Sequence, residues 1–158
     1  MARQIADIPL VFSCSGCSSA AQTTNTLALL LDRDGEAQMS CIAGVGGDIP
    51  KFVREVTSGR PILGLDGCPL TCVHNTLKRH GVEPDRYVQL QSHGIKKRYG
   101  QDAEAEDVER LYPKIVELAR ELRSDTLSPQ GDDPEAVHDN QLRNSSLEDQ
   151  KLSVRGIR

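Results

Sequence analysis

Four short apolar segments alternate with segments of helical periodicity along this chain, and that alternation constrains its fold more than any other feature. The apolar segments cover residues 8–13, 37–43, 61–66 and 87–92, lengths that suit strands. The first and third are almost continuously apolar, which is typical of strands buried on both faces. Strands that alternate with helices over short connections predict an open, mostly parallel α/β sheet of four strands.

The segments between the strands predict helices on both faces of the sheet. The first predicted helix begins near residue 20, where apolar positions recur at helical spacing after a capping box formed by Ser19 and Gln22. Pro113 predicts a kink or a break in the last helix. The expected architecture is a single Rossmann- or flavodoxin-like domain. Its helices are predicted within residues 20–31, 48–59, 68–81 and 103–123.

The sequence after residue 123 has a different composition. Residues 124–158 contain few apolar positions, show no periodicity and are rich in Asp, Ser, Asn and Gln. Such a segment cannot bury enough surface to offset its chain entropy. We therefore expect an α/β domain over residues 1–123, followed by a disordered polar tail over residues 124–158.

Composition narrows the classes of partner. The formal net charge is −4 and aromatic residues make up only 3% of the 158 residues, which argues against nucleic acid as a partner. The one tight basic cluster, Lys96–Arg98, is interpreted as a solvated loop rather than a phosphate site. No segment is long and apolar enough to cross a membrane, and the N-terminal residues lack the apolar core of a signal peptide. These features predict a cytoplasmic protein with neither nucleic acid nor membrane as partner.

Five cysteines carry the chemistry of this sequence, and in a reducing cytoplasm they indicate metal or redox chemistry. Cys14 follows the first predicted strand, Cys41 lies in the last part of the second, and Cys68 follows the third. Cys17 and Cys72 lie at or just before the starts of the following helices. The carboxyl ends of parallel strands share one edge, where ligand sites form, so the five cysteines are predicted to converge there.

A cluster of thiolates at this edge predicts a metal site. Helix N-termini lower the pKa of thiols, and four sulfurs hold a tetrahedral zinc ion at about 2.3 Å each. Cys68 and Cys72 are the expected anchor, with Pro69 at the first position of their shared helix and Cys68 close to helical geometry. His93 ends the fourth predicted strand at the same edge and is interpreted as a polar loop residue rather than an extra ligand. Asp66 is expected to cap the following turn or to orient a ligand.

Two other kinds of thiol chemistry stay open at this point. Cys14 and Cys17 form a C-x2-C spacing before a helix, which is the layout of a redox pair in a thiol oxidoreductase or sulfur-transfer enzyme. The same ligands also suit an iron–sulfur cluster. The sequence contains no Ser-His-Asp pattern and no HExxH motif, so reactive cysteines are the sole catalytic feature and enzyme activity is left open.

Three segments resemble the DGC-domain family, which takes its name from an Asp-Gly-Cys motif. They are "CSGCS" at residues 14–18, "MSCIAGVGGD" at residues 39–48 and "LDGCPLTC" at residues 65–72. The resemblance covers about residues 8–100, and it implies a zinc-binding protein with no established activity. By resemblance, Cys14, Cys41, Cys68 and Cys72 are the four metal ligands, and Cys17 is a fifth thiol of open role. The sequence thus predicts metal binding in metal handling, sulfur chemistry or sensing, with the metal ion as the expected partner.

Overall fold

The computed structural model describes residues 8–127 of the chain. Nearly all of the predicted polar tail, residues 128–158, therefore lies outside the described residues. Residues 124–127 belong to the last helix, which extends past the predicted domain boundary at residue 123. Within the described part of the chain, no helix combines the length and the apolar character needed to cross a membrane.

Residues 8–127 form four strands and five α-helices, with at least one helix after each strand. The first half contains β1 (Leu10–Ser13), α1 (Ser19–Arg33), β2 (Gln38–Met39), α2 (Ile42–Gly46) and α3 (Pro50–Val56). The second half contains β3 (Ile62–Asp66), α4 (Cys72–Arg79), β4 (Arg86–Gln89), a 3₁₀ turn (Leu90–His93) and α5 (Ala105–Leu127). This order of elements confirms the predicted α/β class.

All four strands are parallel and lie in the order β2-β1-β3-β4. In the central pair, Leu10 is opposite Ile62 and Ser13 is opposite Leu65. The chain leaves β1 for β2 on one side and later returns to place β3 on the other side. Such a reversal is the topological switch point of an open α/β sheet, where ligand crevices form. The narrower likeness to Rossmann or flavodoxin folds stays a prediction.

Two apolar cores, one on each face of the sheet, hold the helices in place. Val11 and Leu63 point to the face covered by α1 and α5, where they pack with Leu27 and Ile115. Leu10, Phe12 and Ile62 point to the opposite face, where they pack with residues of α2, α3 and α4. The near-continuous apolar sequence of β1 and β3 follows from this burial on both faces.

Several element boundaries differ from the predictions. The residue that caps α1 is Ser18, whose hydroxyl accepts the N–H of Ala21, so the predicted capping box is one residue too late. α3 begins at Pro50, two residues after the predicted start at residue 48, and Ile49 before it makes no side-chain capping bond. The last helix is continuous through Pro113, so the prediction of two separate helices is wrong.

The segments around β2 and β4 are shorter strands than predicted. β2 pairs with β1 on one side only and ends at Met39, and the glycine-rich segment after it forms α2 instead of a turn. β4 ends at Gln89, where the chain enters the 3₁₀ turn. Both are edge strands, where fewer backbone hydrogen bonds hold the chain extended.

Candidate thiol site at the carboxyl edge of the sheet

The loops that follow β2, β1 and β3 carry cysteines to one edge of the sheet. These three strands are adjacent and parallel, so their carboxyl ends lie side by side. Cys41, Cys14 and Cys68 follow them in that spatial order. Three cysteines distant in sequence thus follow adjacent strand ends, and their side chains differ in burial and contacts. The convergence of all five thiols stays a prediction.

Cys14 is a buried thiol held by two hydrogen bonds. Its side chain is 6% exposed, its sulfur lies 3.2 Å from the Thr24 hydroxyl, and the backbone N–H of Gly67 donates to it over 3.2 Å. Burial is the main cause that raises the pKa of Cys14, and the nearby charges of Asp66 and Cys72 act in the same direction. This environment does not suit Cys14 as the low-pKa thiol of a redox pair with Cys17, because the sulfur is enclosed by the core rather than placed at a helix terminus.

Gly67, the middle residue of the Asp-Gly-Cys motif, lies against the start of α1. A Cβ atom at this position would lie 2.6 Å from the carbonyl oxygen of Ala20 and 2.7 Å from its carbonyl carbon. Backbone atoms cannot move aside as a flexible side chain can. Glycine is therefore required for β3 and α1 to approach closely enough for the Gly67 N–H to reach Cys14.

The β3–α4 loop, residues 67–71, turns sharply before the helix. The N–H of Thr71 donates to the carbonyl of Cys68 over 3.1 Å, which makes Pro69 the second residue of a four-residue turn, a position that proline favours. Thr71 has a φ of 47°, in the left-handed region. The helix starts at Cys72, so the predictions that Pro69 is the first helical residue and that Cys68 is close to helical are both wrong.

Asp66 supplies the cap that α4 lacks locally. Thr71 makes no side-chain capping bond. Instead, the buried Asp66 carboxylate accepts the N–H of Val73 over 3.0 Å and the N–H of His74 over 3.1 Å. It also accepts the hydroxyl of Tyr87 over 3.0 Å. The predicted capping role of Asp66 is confirmed, and it fixes the helix whose first residue is Cys72.

Cys68 is a half-buried thiol beside a lysine. The ammonium of Lys97 lies 3.6 Å from the Cys68 sulfur. The pKa of Lys97 is raised, first by its hydrogen bond with the side chain of Tyr99 and further by the charge of Cys68. Sequence reasoning missed this contact, because the basic cluster at 96–98 was interpreted as solvated and lies 29 residues from Cys68.

The two remaining cysteines are exposed and stand apart from these contacts. Cys17 lies in the loop before α1. Cys41 was predicted to lie in the second strand, but it lies after β2 and directly precedes α2. Its sulfur accepts the N–H of Gly44 over 3.4 Å. Cys41 also lines an open cavity of about 510 Å³ together with Met39 and Phe52, among other residues. The structure thus places Cys14, Cys68 and Cys72 at or beside the β3–α4 loop and Cys41 at the end of β2, while Cys17 lies in the loop before α1.

The described side chains do not form a ready metal site. Among residues 8–127, no group of three or more His, Cys, Asp or Glu side chains is placed so that it could hold a metal ion. The sulfur of Cys14 is engaged by Thr24 and Gly67, and that of Cys41 caps a different helix. His93 lies toward α5, with its Nδ1 atom 3.5 Å from the ammonium of Lys114. Zinc and iron–sulfur ligation by Cys14, Cys17, Cys41, Cys68 and Cys72 stay predictions of the sequence.

Comparisons with known proteins point to the same motif. The family model described as the DGC domain matches residues 10–115. The chain is 61% identical over 111 residues to the Anaerobic and virulence modulator AnvM of Pseudomonas aeruginosa, in an alignment that covers 70% of this chain and 85% of that relative. No solved structure matches the chain. This chain belongs to the DGC domain family.

Proposed function

We propose that this chain is a regulatory thiol protein in which reversible oxidation of cysteines at the sheet edge changes the β3–α4 loop. One observation carries the proposal: this single loop bears Cys68, leads into Cys72 and donates the Gly67 N–H to Cys14. A chemical change at any of these three thiols is therefore transmitted to the same short segment of backbone.

The three thiols differ in access, and this difference suits a sensor. Cys72 is exposed, Cys68 is half-buried and Cys14 is buried. A reagent from solvent reaches Cys68 and Cys72 before Cys14, whose raised pKa also keeps it protonated. Lys97 gives Cys68 a positive neighbour, and the thiolate is the form of cysteine that reacts. Cys68 is accordingly the proposed first site of oxidation.

The oxidant is a hydroperoxide or a disulfide. With hydrogen peroxide, the Cys68 thiolate attacks one oxygen, the O–O bond breaks, and the other oxygen leaves as water after protonation, so that sulfur loses two electrons as a sulfenic acid. A second thiol of the same edge then displaces water from the sulfenic acid and forms a disulfide. An external dithiol returns both cysteines to the reduced form.

The loop is built to respond to such a change. Thr71 holds a left-handed backbone conformation between Cys68 and Cys72, and such strained positions persist only where their surroundings enforce them. The relative with 61% identity is named Anaerobic and virulence modulator. A reversible thiol switch accords with a regulator tied to oxygen supply, and the predicted cytoplasmic location would keep its thiols reduced.

Zinc binding by the same thiols is the competing proposal, and the three cysteine-bearing loops at adjacent strand ends support it. It requires the Cys14 and Cys41 sulfurs to exchange their present hydrogen bonds for a metal. The thiol switch begins at Cys68 with its present contacts in place, so it is the function that the geometry favours.

Differential alkylation tests the proposed switch. The reduced full-length protein is exposed to hydrogen peroxide, free thiols are blocked, and oxidised thiols are reduced and labelled with a second mass tag. We expect Cys68 to gain the second tag first, Cys14 to stay protected, and a dithiol to reverse the oxidation. Cys68→Ser should abolish the early oxidation, whereas Cys41→Ser, at the other end of the edge, should leave it intact. If Cys14, Cys68 and Cys72 all stay reduced, or oxidise irreversibly, the proposed function is wrong.

A further inference from the structure

We infer that Cys68 forms mixed disulfides with anionic low-molecular-weight disulfides, and that Lys97 selects them by charge. The inference rests on the proposed thiol function and adds to it the chemical class of the reagent. Among the described cysteines, Cys68 is the one whose sulfur contacts a cationic side chain. The pair of Cys68 and Lys97 is therefore a nucleophile with a binding group for negative charge built beside it.

The lysine is presented by a fixed segment, which we term the basic strap and define as residues 95–99. Ser19, the first residue of α1, holds the strap through three hydrogen bonds. Its N–H donates to the Arg98 carbonyl over 2.8 Å, its hydroxyl donates to the Lys96 carbonyl over 3.0 Å, and that hydroxyl accepts the Arg98 N–H over 3.1 Å. Ile95 is buried in the core, and Tyr99 forms a bridge with Ser18. The backbone on both sides of Lys97 is thus anchored.

The Lys97 side chain is also held in place. Its ammonium lies 5.1 Å from the centre of the Tyr99 ring, a cation–π distance, as well as 3.6 Å from the Cys68 sulfur. Within residues 8–127, neither Lys96 nor Lys97 is paired with a carboxylate, whereas Arg98 is paired with Glu104. The Lys97 charge is therefore available to an anion that approaches Cys68.

The carboxylate nearest to Cys68 in sequence does not cancel this charge for an incoming reagent. Asp66 precedes Gly67 and Cys68, but it is 1% exposed and its oxygens accept bonds from Val73, His74 and Tyr87. A reagent in solvent meets the half-buried ammonium of Lys97 rather than the buried carboxylate. The half-buried Cys68 sulfur is accordingly approached through a positive field.

The reaction is a thiol–disulfide exchange that needs no further oxidant. The Cys68 thiolate attacks one sulfur of the reagent, a new S–S bond forms, the reagent's own S–S bond breaks, and its other half leaves as a thiolate that takes a proton from solvent. Lys97 pairs with a carboxylate of the reagent and with the negative charge shared by the sulfurs during exchange. An anionic disulfide gains from both effects, whereas a cationic disulfide is repelled.

The test compares three disulfides that differ in charge: oxidised glutathione, which is anionic, 2-hydroxyethyl disulfide, which is neutral, and cystamine, which is cationic. Adduct formation on the reduced full-length protein is followed by intact mass, and the modified cysteine is identified by peptide mapping. Each rate is divided by that of the neutral reagent, so that a change in the reactivity of the thiol itself cancels. We expect the adduct on Cys68 and the order anionic, neutral, cationic.

The variants isolate the lysine. Lys97→Met should lower the anionic-to-cationic rate ratio by at least about fivefold, the value of one unit charge at about 4 Å in water. Lys97→Glu should invert the preference. The matched control is Lys51→Met, which removes a lysine beside Cys41 and should leave the ratio within about twofold. In the unmodified protein, raising the salt concentration from about 0.05 M to 0.5 M should also reduce the ratio.

The outcomes separate this inference from the proposed function. If the adduct forms mainly on Cys17, Cys41 or Cys72, or if Lys97→Met and salt leave the ratio unchanged, the inference is overturned even where peroxide oxidises Cys68 reversibly. If neither peroxide nor any disulfide modifies the edge cysteines reversibly, the proposed function fails as well.

Discussion

The backbone N–H of Gly67 donates a hydrogen bond to the sulfur of Cys14 over 3.2 Å. The bond joins residues 53 positions apart in sequence, one after β3 and one after β1. Each residue of the Asp-Gly-Cys motif has its own structural role. Asp66 caps α4, Gly67 permits the close approach of α1 and binds Cys14, and Cys68 contacts Lys97. The motif is therefore a junction between β1, β3, α1 and α4.

Replacing Gly67 should destabilise the whole domain. A Cβ atom at residue 67 would collide with the backbone of Ala20, so Gly67→Ala should lower the free energy of unfolding by about 1–3 kcal/mol. The control is Gly46→Ala, whose Cβ atom would lie 3.7 Å from the nearest atom outside its own helix, a methyl group of Thr76. Urea denaturation measures both. If the two variants had equal free energies of unfolding, α1 would be able to move away from residue 67 without loss of stability, and the close contact would not be required.

Removing the charge of Asp66 should loosen the start of α4. Asp66→Asn leaves one oxygen where three donors now bond, so the free energy of unfolding should fall by about 2 kcal/mol. Hydrogen exchange at the amides of Val73 and His74 should accelerate. Asp48→Asn is the matched control, because Asp48 is an exposed ion-pair partner of Arg79 and its loss should cost less than about 1 kcal/mol. Unchanged exchange in α4 would contradict the capping role.

The sequence predicted the sheet and the edge because both follow from local patterns. Apolar runs at residues 8–13 and 61–66 identify strands buried on both faces, and the position of Cys14 and Cys68 directly after them places both at the carboxyl ends. A period of apolar residues also identifies α1 and α5, whose apolar faces meet the same core.

The contacts of the thiols could not be predicted in this way, because each depends on tertiary geometry. Lys97 reaches Cys68 only because Ser18 and Ser19 hold residues 96–99 against the start of α1. In the sequence, Thr24 is one residue of the periodic face of the first helix, and nothing indicates that its hydroxyl contacts the Cys14 sulfur. Cys41 follows an apolar run that resembles a strand, but β2 is an edge strand and ends two residues earlier.

Alkaline pH should reduce the contribution of the Tyr87 hydroxyl to the stability of the fold. Burial, and next the charge of Asp66, raise the pKa of Tyr87, since the neutral phenol donates to that carboxylate. A pKa raised in the folded state means that this stabilisation is present below about pH 10, the value for an unfolded tyrosine, and is lost as the pH rises further. Tyr87→Phe should cost about 1 kcal/mol at pH 7, and the difference from the unmodified protein should shrink above pH 10.

The same pH series provides its own check. The Tyr112 hydroxyl donates to Asp34, and the pKa of Tyr112 is also raised, first by burial and then by this hydrogen bond. The difference in unfolding free energy between Tyr112→Phe and the unmodified protein should therefore also shrink above pH 10. Guanidinium denaturation at several pH values gives the free energies. A difference that is constant from pH 7 to pH 11 would mean that the Tyr87 hydroxyl does not stabilise the fold through Asp66.

Removing any bound metal should leave the domain folded. Two apolar cores hold the helices on the two faces of the sheet, and among residues 8–127 no group of three or more His, Cys, Asp or Glu side chains is placed to hold a metal ion. A structural zinc ion contributes about 10–16 kcal/mol in zinc-finger peptides, which is as large as the roughly 5–15 kcal/mol stability of a whole domain. If the fold depended on zinc, removing the ion would therefore unfold the domain.

We expect the melting temperature after dialysis against a chelator to stay within about 2 °C of the untreated value, and elemental analysis verifies that the metal has been removed. Unfolding on chelation, or a large drop in melting temperature that added zinc reverses, would show that the cysteines rearrange around a metal and would favour the zinc-binding proposal over the thiol switch.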